Sequence, residues 1–167
     1  MYKIELLSEQ HEIDQFDSGV ESKDQFLRKF ALQNSKGGLG RTYAAVHPES
    51  RKVFGYYTIS SSSVKFENLP NRHLPRYPVP SILLGKLAID RSAQGQGLGT
   101  ALLFDAMQRA ARIADEIGVF LLEVKALDES AKRFYLKYEF VEMLDSSMSL
   151  FLNLKKIRHL LRNESQR

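Results

Sequence analysis

Gly95, Gly97 and Gly99 alternate directly after Gln94, and Thr100 follows them. Glycine leaves the backbone N–H groups uncovered and permits positive φ where a turn needs it. A helix starting here leaves its first N–H groups unpaired and carries partial positive charge at that end. Together these features form an anion site suited to a phosphate or pyrophosphate. The dinucleotide fingerprint fails, because Thr100 stands where its last glycine or alanine belongs. The P-loop fails as well, because no Gly-Lys-Ser/Thr tripeptide closes the turn. What is present is Gln-x-x-Gly-x-Gly at Gln94, Gly97 and Gly99. A tight turn with no ligand would need the same glycines, so the surrounding elements must decide.

An apolar run from Ile82 to Ile89 stops at Asp90 and leads into the turn. Such a run reads as a strand covered on both faces. Beyond the turn, Leu98, Leu102, Ala106, Ala110, Ile113 and Ile117 recur at helical spacing, and Gly118 closes the helix. Val119 to Val124 is a second buried strand, and a right-handed crossover makes the two strands parallel. Upstream, Tyr2 to Leu7 reads as a strand. Ser22 to Gln25 reads as a capping box opening a helix whose apolar face is Phe26, Leu27, Phe30 and Ala31, ended by Gly37-Gly38. Thr42–Val46 and Val53–Ser60 form an antiparallel hairpin. Residues 68–81 hold four of the five prolines, with Arg72, His73, Arg76 and Tyr77 between them. A segment stiffened in this way can present a substrate surface. Asp128 caps a last helix carrying Ala131, Phe134, Tyr135 and Tyr138. Phe140–Met143 and Met148–Leu154 read as a closing hairpin. We place one domain over residues 1–154 and a basic, solvated tail over 155–167.

The chain has 167 residues, a net charge of +4 and no cysteine. Disulfides, thiolate nucleophiles and cysteine-based zinc sites are therefore excluded. His11, His47, His73 and His159 show no metal-ligand spacing. The mild positive charge is compatible with CoA phosphates or RNA, and equally with plain solubility. With no signal peptide or membrane-length apolar run, a soluble cytoplasmic protein is the expectation.

The Gln94–Gly99 turn and this element order resemble the GCN5-related N-acetyltransferase (GNAT) family. The resemblance implies an α/β (α+β) fold: a mixed central sheet with splayed parallel strands and flanking helices. It implies acetyl-CoA as acetyl donor. The pantetheine arm would lie along Leu87, Ala88 and Ile89, and the pyrophosphate on Gln94, Gly95, Gln96, Gly97, Leu98, Gly99 and Thr100. Asp128, Ala131 and Phe134 would complete the donor site. Phe134-Tyr135, followed by Tyr138-Glu139-Phe140, matches the family's last helix, whose tyrosine lies near the thioester sulfur. Tyr135 would then protonate the leaving thiolate, with Tyr138 one turn on as the alternative. Glu139 departs from the family's usual glycine; at positive φ it would cost roughly 1 kcal/mol.

Phe16-Asp17-Ser18-Gly19-Val20, Arg41-Thr42-Tyr43, Gly55-Tyr56-Tyr57-Thr58-Ile59, Leu74-Pro75-Arg76-Tyr77-Pro78-Val79-Pro80 and Leu87-Ala88-Ile89-Asp90-Arg91 resemble one subgroup of the family. Its members are toxins of bacterial toxin–antitoxin pairs that acetylate the α-amino group on charged tRNA and so block translation. The subgroup implies a ribbon-helix-helix antitoxin and a homodimer. The amine would attack the thioester directly. A strand N–H near Leu87 or Ile89 would polarise the carbonyl, and Glu123, Asp128 or water would take the amine proton. Lys36, Arg41, Arg76 and Arg91 are the candidates for contacting tRNA, with Arg28 and Lys29 behind them. Two alternatives stay open: a small amine or protein amine as acceptor, and a non-catalytic protein that binds CoA or a partner. Arg72 and Arg76 in the proline loop favour an anionic acceptor.

Overall fold

A computed structural model of the chain describes residues 1–70, 73–74 and 76–167; the loop positions Arg72 and Pro75 lie outside the described residues. β1 (Lys3–Leu6), β2 (Arg41–Val46) and β3 (Gly55–Val64) are successive antiparallel neighbours. β4 (Val79–Ile89) pairs parallel with β5 (Leu121–Lys125), from Ser81 opposite Leu121 to Leu84 opposite Val124. β7 (Ser149–Asn153) runs antiparallel to β5, and β6 (Val141–Glu142) pairs with β7. The order β1-β2-β3-β4-β5-β7-β6 makes a mixed seven-stranded sheet, the fold class expected from the sequence. Among the described residues no helix is long and apolar enough to cross a membrane. By compactness the chain divides into two units, residues 1–60 with 85–106 and residues 61–84 with 107–167.

In the first unit, α1 (Glu21–Gln25), a π-helical turn (Phe26–Phe30) and α2 (Ala31–Lys36) run on from one another. Leu27 and Ala31 pack in a buried cluster with Leu7, Phe16, Ala44, Val46, Val53, Tyr56 and Ala88. Phe30 does not join them and is 50% exposed. The π turn winds more residues into each turn than an α-helix does, so the 3–4 spacing loses the face it would otherwise keep. Ser22 is not a cap either; the N-cap is Val20, with no side-chain bond. The entry is fixed instead by buried Asp24, whose carboxylate accepts the Ser18 N–H (3.0 Å) and hydroxyl (2.6 Å). A carboxylate taken out of water needs such donors. α2 ends as expected, with Gly38 at φ 77°.

α3 (Leu98–Ile113) starts in the first unit and continues into the second. Leu98 and Leu102 come so close to Gly55, with Ile89 beside them, that a Cβ there would meet all three within 3.0–3.1 Å. Tyr57 is fully buried and donates its hydroxyl to Asp105 at 2.6 Å. The helix stops four residues short of the expected end, and Ile117 is 59% exposed rather than core.

The second unit centres on Val64, Leu69, Val79, Leu121, Met143 and Phe151. α4 (Glu129–Lys137) is capped by Asp128, which accepts the Ala131 N–H at 2.8 Å. Residues of the basic tail form an amphipathic helix, α5 (Leu154–Ser165). Asn153 caps it by accepting the Lys156 N–H at 2.9 Å. Ile157 is fully buried, and Arg158 donates to Asp115 at 3.0 Å.

Candidate functional site

In the first unit, β4 ends at Ile89 and Asp90 folds the chain into a short 3₁₀ turn, Arg91–Ala93. The Asp90 carboxylate accepts the Asp17 N–H (3.0 Å), the Ser92 N–H (3.0 Å) and the Ser92 hydroxyl (2.7 Å). Burial alone would raise its pKa, but those three donors outweigh it and hold the carboxyl below the usual carboxylate range. Gly95 and Gly97 then take φ of 76° and 82°, and a Cβ on either would meet nothing within 4 Å. Their glycine identity thus serves the backbone path and leaves open space above it. Gly97 accepts the Ala101 N–H at 3.1 Å and so begins α3. The helix geometry leaves the Leu98 and Gly99 N–H groups with no acceptor inside the helix. Gly99 lies within the helix, not at positive φ. The turn at residues 94–100 thus has the backbone geometry that the expected anion site calls for.

The Gln94 side chain is engaged within the protein. Its Nε2 donates to the carbonyls of Ile89 (2.9 Å) and Ser18 (3.0 Å). It ties the end of β4 to the loop at residues 16–19 and so shapes the turn. The Gln96 side chain donates to the Ser92 carbonyl at 3.3 Å.

The β4 edge has a definite polarity. The Asp90 N–H donates to the Phe54 carbonyl at 2.8 Å, toward β3. A planar trans peptide then turns the Ile89 carbonyl away from β3, and strand alternation puts Leu87 on the same side. The pairing to β5 ends at Leu84, so residues 85–89 run beyond it. The Leu87 and Ile89 N–H groups face that side and can serve an extended ligand. Ala88 differs, because its backbone groups face β3 and its side chain is buried. The Leu87 carbonyl accepts Lys23 Nζ at 3.0 Å. Sequence reading missed Lys23, since nothing local ties residue 23 to residue 87.

In the second unit, α4 holds Tyr135 with only 7% of its surface exposed. Its ring lies 5.2 Å from that of Phe134 and 5.4 Å from that of Phe140. Burial pushes the Tyr135 hydroxyl well above its ordinary pKa, keeping it a proton donor at neutral pH. Among the described residues no buried side-chain polar atom lacks a partner, and Tyr135 Oη makes no side-chain hydrogen bond, so the hydroxyl reaches solvent from a clamped ring. Tyr138 falls at the C-cap, outside the helix, with Phe134 at 5.5 Å. Phe134 and Ala131 are half-buried on the same helix. Glu139 has φ 69°, the one positive-φ residue other than glycine among those described. Of the two carboxylates considered as bases, Asp128 is engaged as the helix cap, and Glu123 is buried and accepts the Ser81 hydroxyl at 3.3 Å.

The basic candidates are dispersed. Lys36 pairs with Glu9, and Arg41 donates to the Ser35 carbonyl at 2.5 Å. Both line a recess of about 500 Å³ with Leu6, Ser8 and Leu32. Arg91 meets Asp17 at 3.3 Å. Arg28 donates to the Phe16 carbonyl at 2.7 Å. In the second unit Arg76 is exposed. There Leu69, Pro70, Leu74 and Phe120 line an apolar recess of about 270 Å³.

A family model described as "Acetyltransferase (GNAT) domain" matches residues 55–142. The chain is 37% identical over 158 residues, 93% of each chain, to a protein of Mycobacterium tuberculosis (strain ATCC 25618 / H37Rv) named tRNA-acetylating toxin. A solved structure of AtaT complexed with acetyl-methionyl-tRNAfMet superposes with a TM-score of 0.90 at 32% identity, covering 96% of this chain and 99% of that one. A Tyr-to-Phe mutant of the AtaT toxin, bound to the C-terminus of the antitoxin AtaR and to acetyl-CoA, superposes with a TM-score of 0.84 at 31% identity, covering 97% and 99%. With the family model over more than half of its residues and a near-full-length relative above 30% identity, the chain belongs to the GCN5-related N-acetyltransferase family, in its bacterial toxin subgroup, and is an acetyl-CoA-dependent N-acetyltransferase.

Proposed function

We propose that the protein transfers the acetyl group of acetyl-CoA to the α-amino group of the amino acid on a charged tRNA, and so stops translation. The observation that carries this reading is the 37% identity to a tRNA-acetylating toxin along 93% of both chains. That likeness spans far more than the donor-binding turn. In this reading the glycine turn and the α3 N-terminus take the pyrophosphate, and the pantetheine arm lies along Leu87–Ile89. Asp128, Ala131 and Phe134 support the donor from α4. The open space at Gly95 and Gly97 and the outward N–H groups of Leu87 and Ile89 support that placement.

The neutral amine attacks the thioester carbonyl, polarised by the N–H of Leu87 or Ile89. A C–N bond forms, the C–S bond breaks, and Tyr135 Oη gives its proton to the departing thiolate. Water takes the proton from the amine, since Asp128 is held by its cap and Glu123 by Ser81. Lys36, Arg41, Arg76 and Arg91 contact tRNA phosphates. The same reading includes action in the cytoplasm, a homodimer and an antitoxin partner of the ribbon-helix-helix type; the AtaT structure with its antitoxin supports an antitoxin partner as such.

The test offers labelled acetyl-CoA with charged tRNA, uncharged tRNA and spermidine as separate acceptors. Label is expected on charged tRNA alone, and lost when the aminoacyl ester is hydrolysed. Label on spermidine alone would discard the tRNA reading and leave an acetyltransferase for small amines.

A further inference from the structure

Two carbonyls on the outward edge of β4 are covered by side chains of the first unit: Ile89 by Gln94 and Leu87 by Lys23. The two covers are held from different places. Gln94 bonds a second carbonyl, that of Ser18, and sits within the turn it shapes. Lys23 reaches from the first turn of α1 on a flexible stem, although its backbone is held: buried Tyr56 donates to the Lys23 carbonyl at 2.6 Å. An anchored backbone carrying an ammonium on a long stem has the mechanics of a latch. A bare strand edge is a template for unwanted pairing, and lysine is a common means of blunting one.

We propose that Lys23 is a donor-binding determinant that latches the Leu87 carbonyl and yields it to an amide of the incoming pantetheine arm. The inference rests on the reading that β4 binds the donor. An extended ligand that pairs with a strand edge takes both donors and acceptors of alternate residues. At Leu87 the donor is open to it, but the acceptor is already engaged. The ligand's amide must displace the ammonium or crowd against it, so the apo contact opposes binding in either case. The opposition is confined to the pantetheine half, because the nucleotide half rests on the glycine turn.

Calorimetric titration of wild type, Lys23→Met and Lys23→Arg with CoA, and with its 3′-phosphorylated ADP half alone, tests this. Lys23→Met is expected to bind CoA roughly threefold to tenfold more tightly, the scale of one lost competing hydrogen bond. Lys23→Arg keeps a donor and should match wild type. Affinity for the nucleotide half should not change in either variant. Should Lys23→Met misfold, Lys23→Gln, too short to reach Leu87, removes the contact instead. Equal or weaker CoA binding by the variant, or a parallel change with both ligands, would overturn the latch and leave the donor reading intact. No binding of either ligand by any of the proteins would overturn the donor reading and the latch together.

Discussion

Replacing Tyr135 by Phe separates catalysis from structure unusually well here. The ring is clamped by Phe134 and Phe140, and the substitution keeps it. The hydroxyl makes no side-chain hydrogen bond among the described residues, so its loss strands no partner. Folding stability should therefore change by no more than about 0.5 kcal/mol, as for a change away from any special feature. Chemistry should suffer far more. A positioned general acid contributes roughly 10²–10⁴ in rate, or about 3–5 kcal/mol at about 1.4 kcal/mol per tenfold. Initial rates of acetylation of charged tRNA should fall by that factor, while calorimetric CoA affinity stays within about twofold. The pH dependence carries a second signature. Burial raises the Tyr135 pKa, so the stability it lends is complete below the unfolded value near 10 and is lost as pH rises from there toward the folded value. The Phe variant should lose less stability above pH ~10 than wild type. Unchanged turnover at saturating donor would refute the proton-donor role. A large fall in thermal stability would show that the hydroxyl is part of the packing instead.

Gly97→Ala places a Cβ where φ is 82° and no protein atom lies within 4 Å. Folding should lose about 1–2 kcal/mol to strain, while CoA affinity falls at least tenfold; equal affinity would remove the pyrophosphate from this turn. Glu139→Gly relieves the positive φ of 69°. It should raise the melting temperature by about 2–4 °C for roughly 1 kcal/mol, despite losing an exposed pair with Lys156 at 3.5 Å; a lower melting temperature would mean that this pair outweighs the strain. If Arg91 meets an RNA phosphate, Arg91→Ala should lower the salt slope of charged-tRNA binding by about one, leaving CoA binding alone. An unchanged slope would assign Arg91 to its Asp17 contact only.

The features readable from the chain were those set by neighbours a few residues apart. Gly95 and Gly97 at positive φ and the Asp128 cap follow from local backbone preference, and the structure has both; Glu139 at positive φ runs against its own preference and was legible only through the family resemblance. The parallel pairing of β4 with β5 follows from two apolar runs joined by one helix. Phe30 and the Ser22 capping box were misplaced because a π turn and the Ser18–Asp24 contact took over the local pattern. The tail from residue 155 read as solvated because its charges dominate, yet Ile157 within it is fully buried.

By itself, the sequence determined the glycine turn, the strand that leads into it, the tyrosine-bearing helix and, through resemblance, the family. Tertiary structure alone decided how the donors and acceptors around them are spent. Gln94 turns inward to Ile89 and Ser18, Asp90 fastens the loop at Asp17, and Lys23 crosses 64 positions of chain to reach the Leu87 carbonyl. Backbone torsions answer to the nearest residues, whereas the partner of a long polar side chain is chosen by whatever the packing of distant segments brings within 3 Å of it.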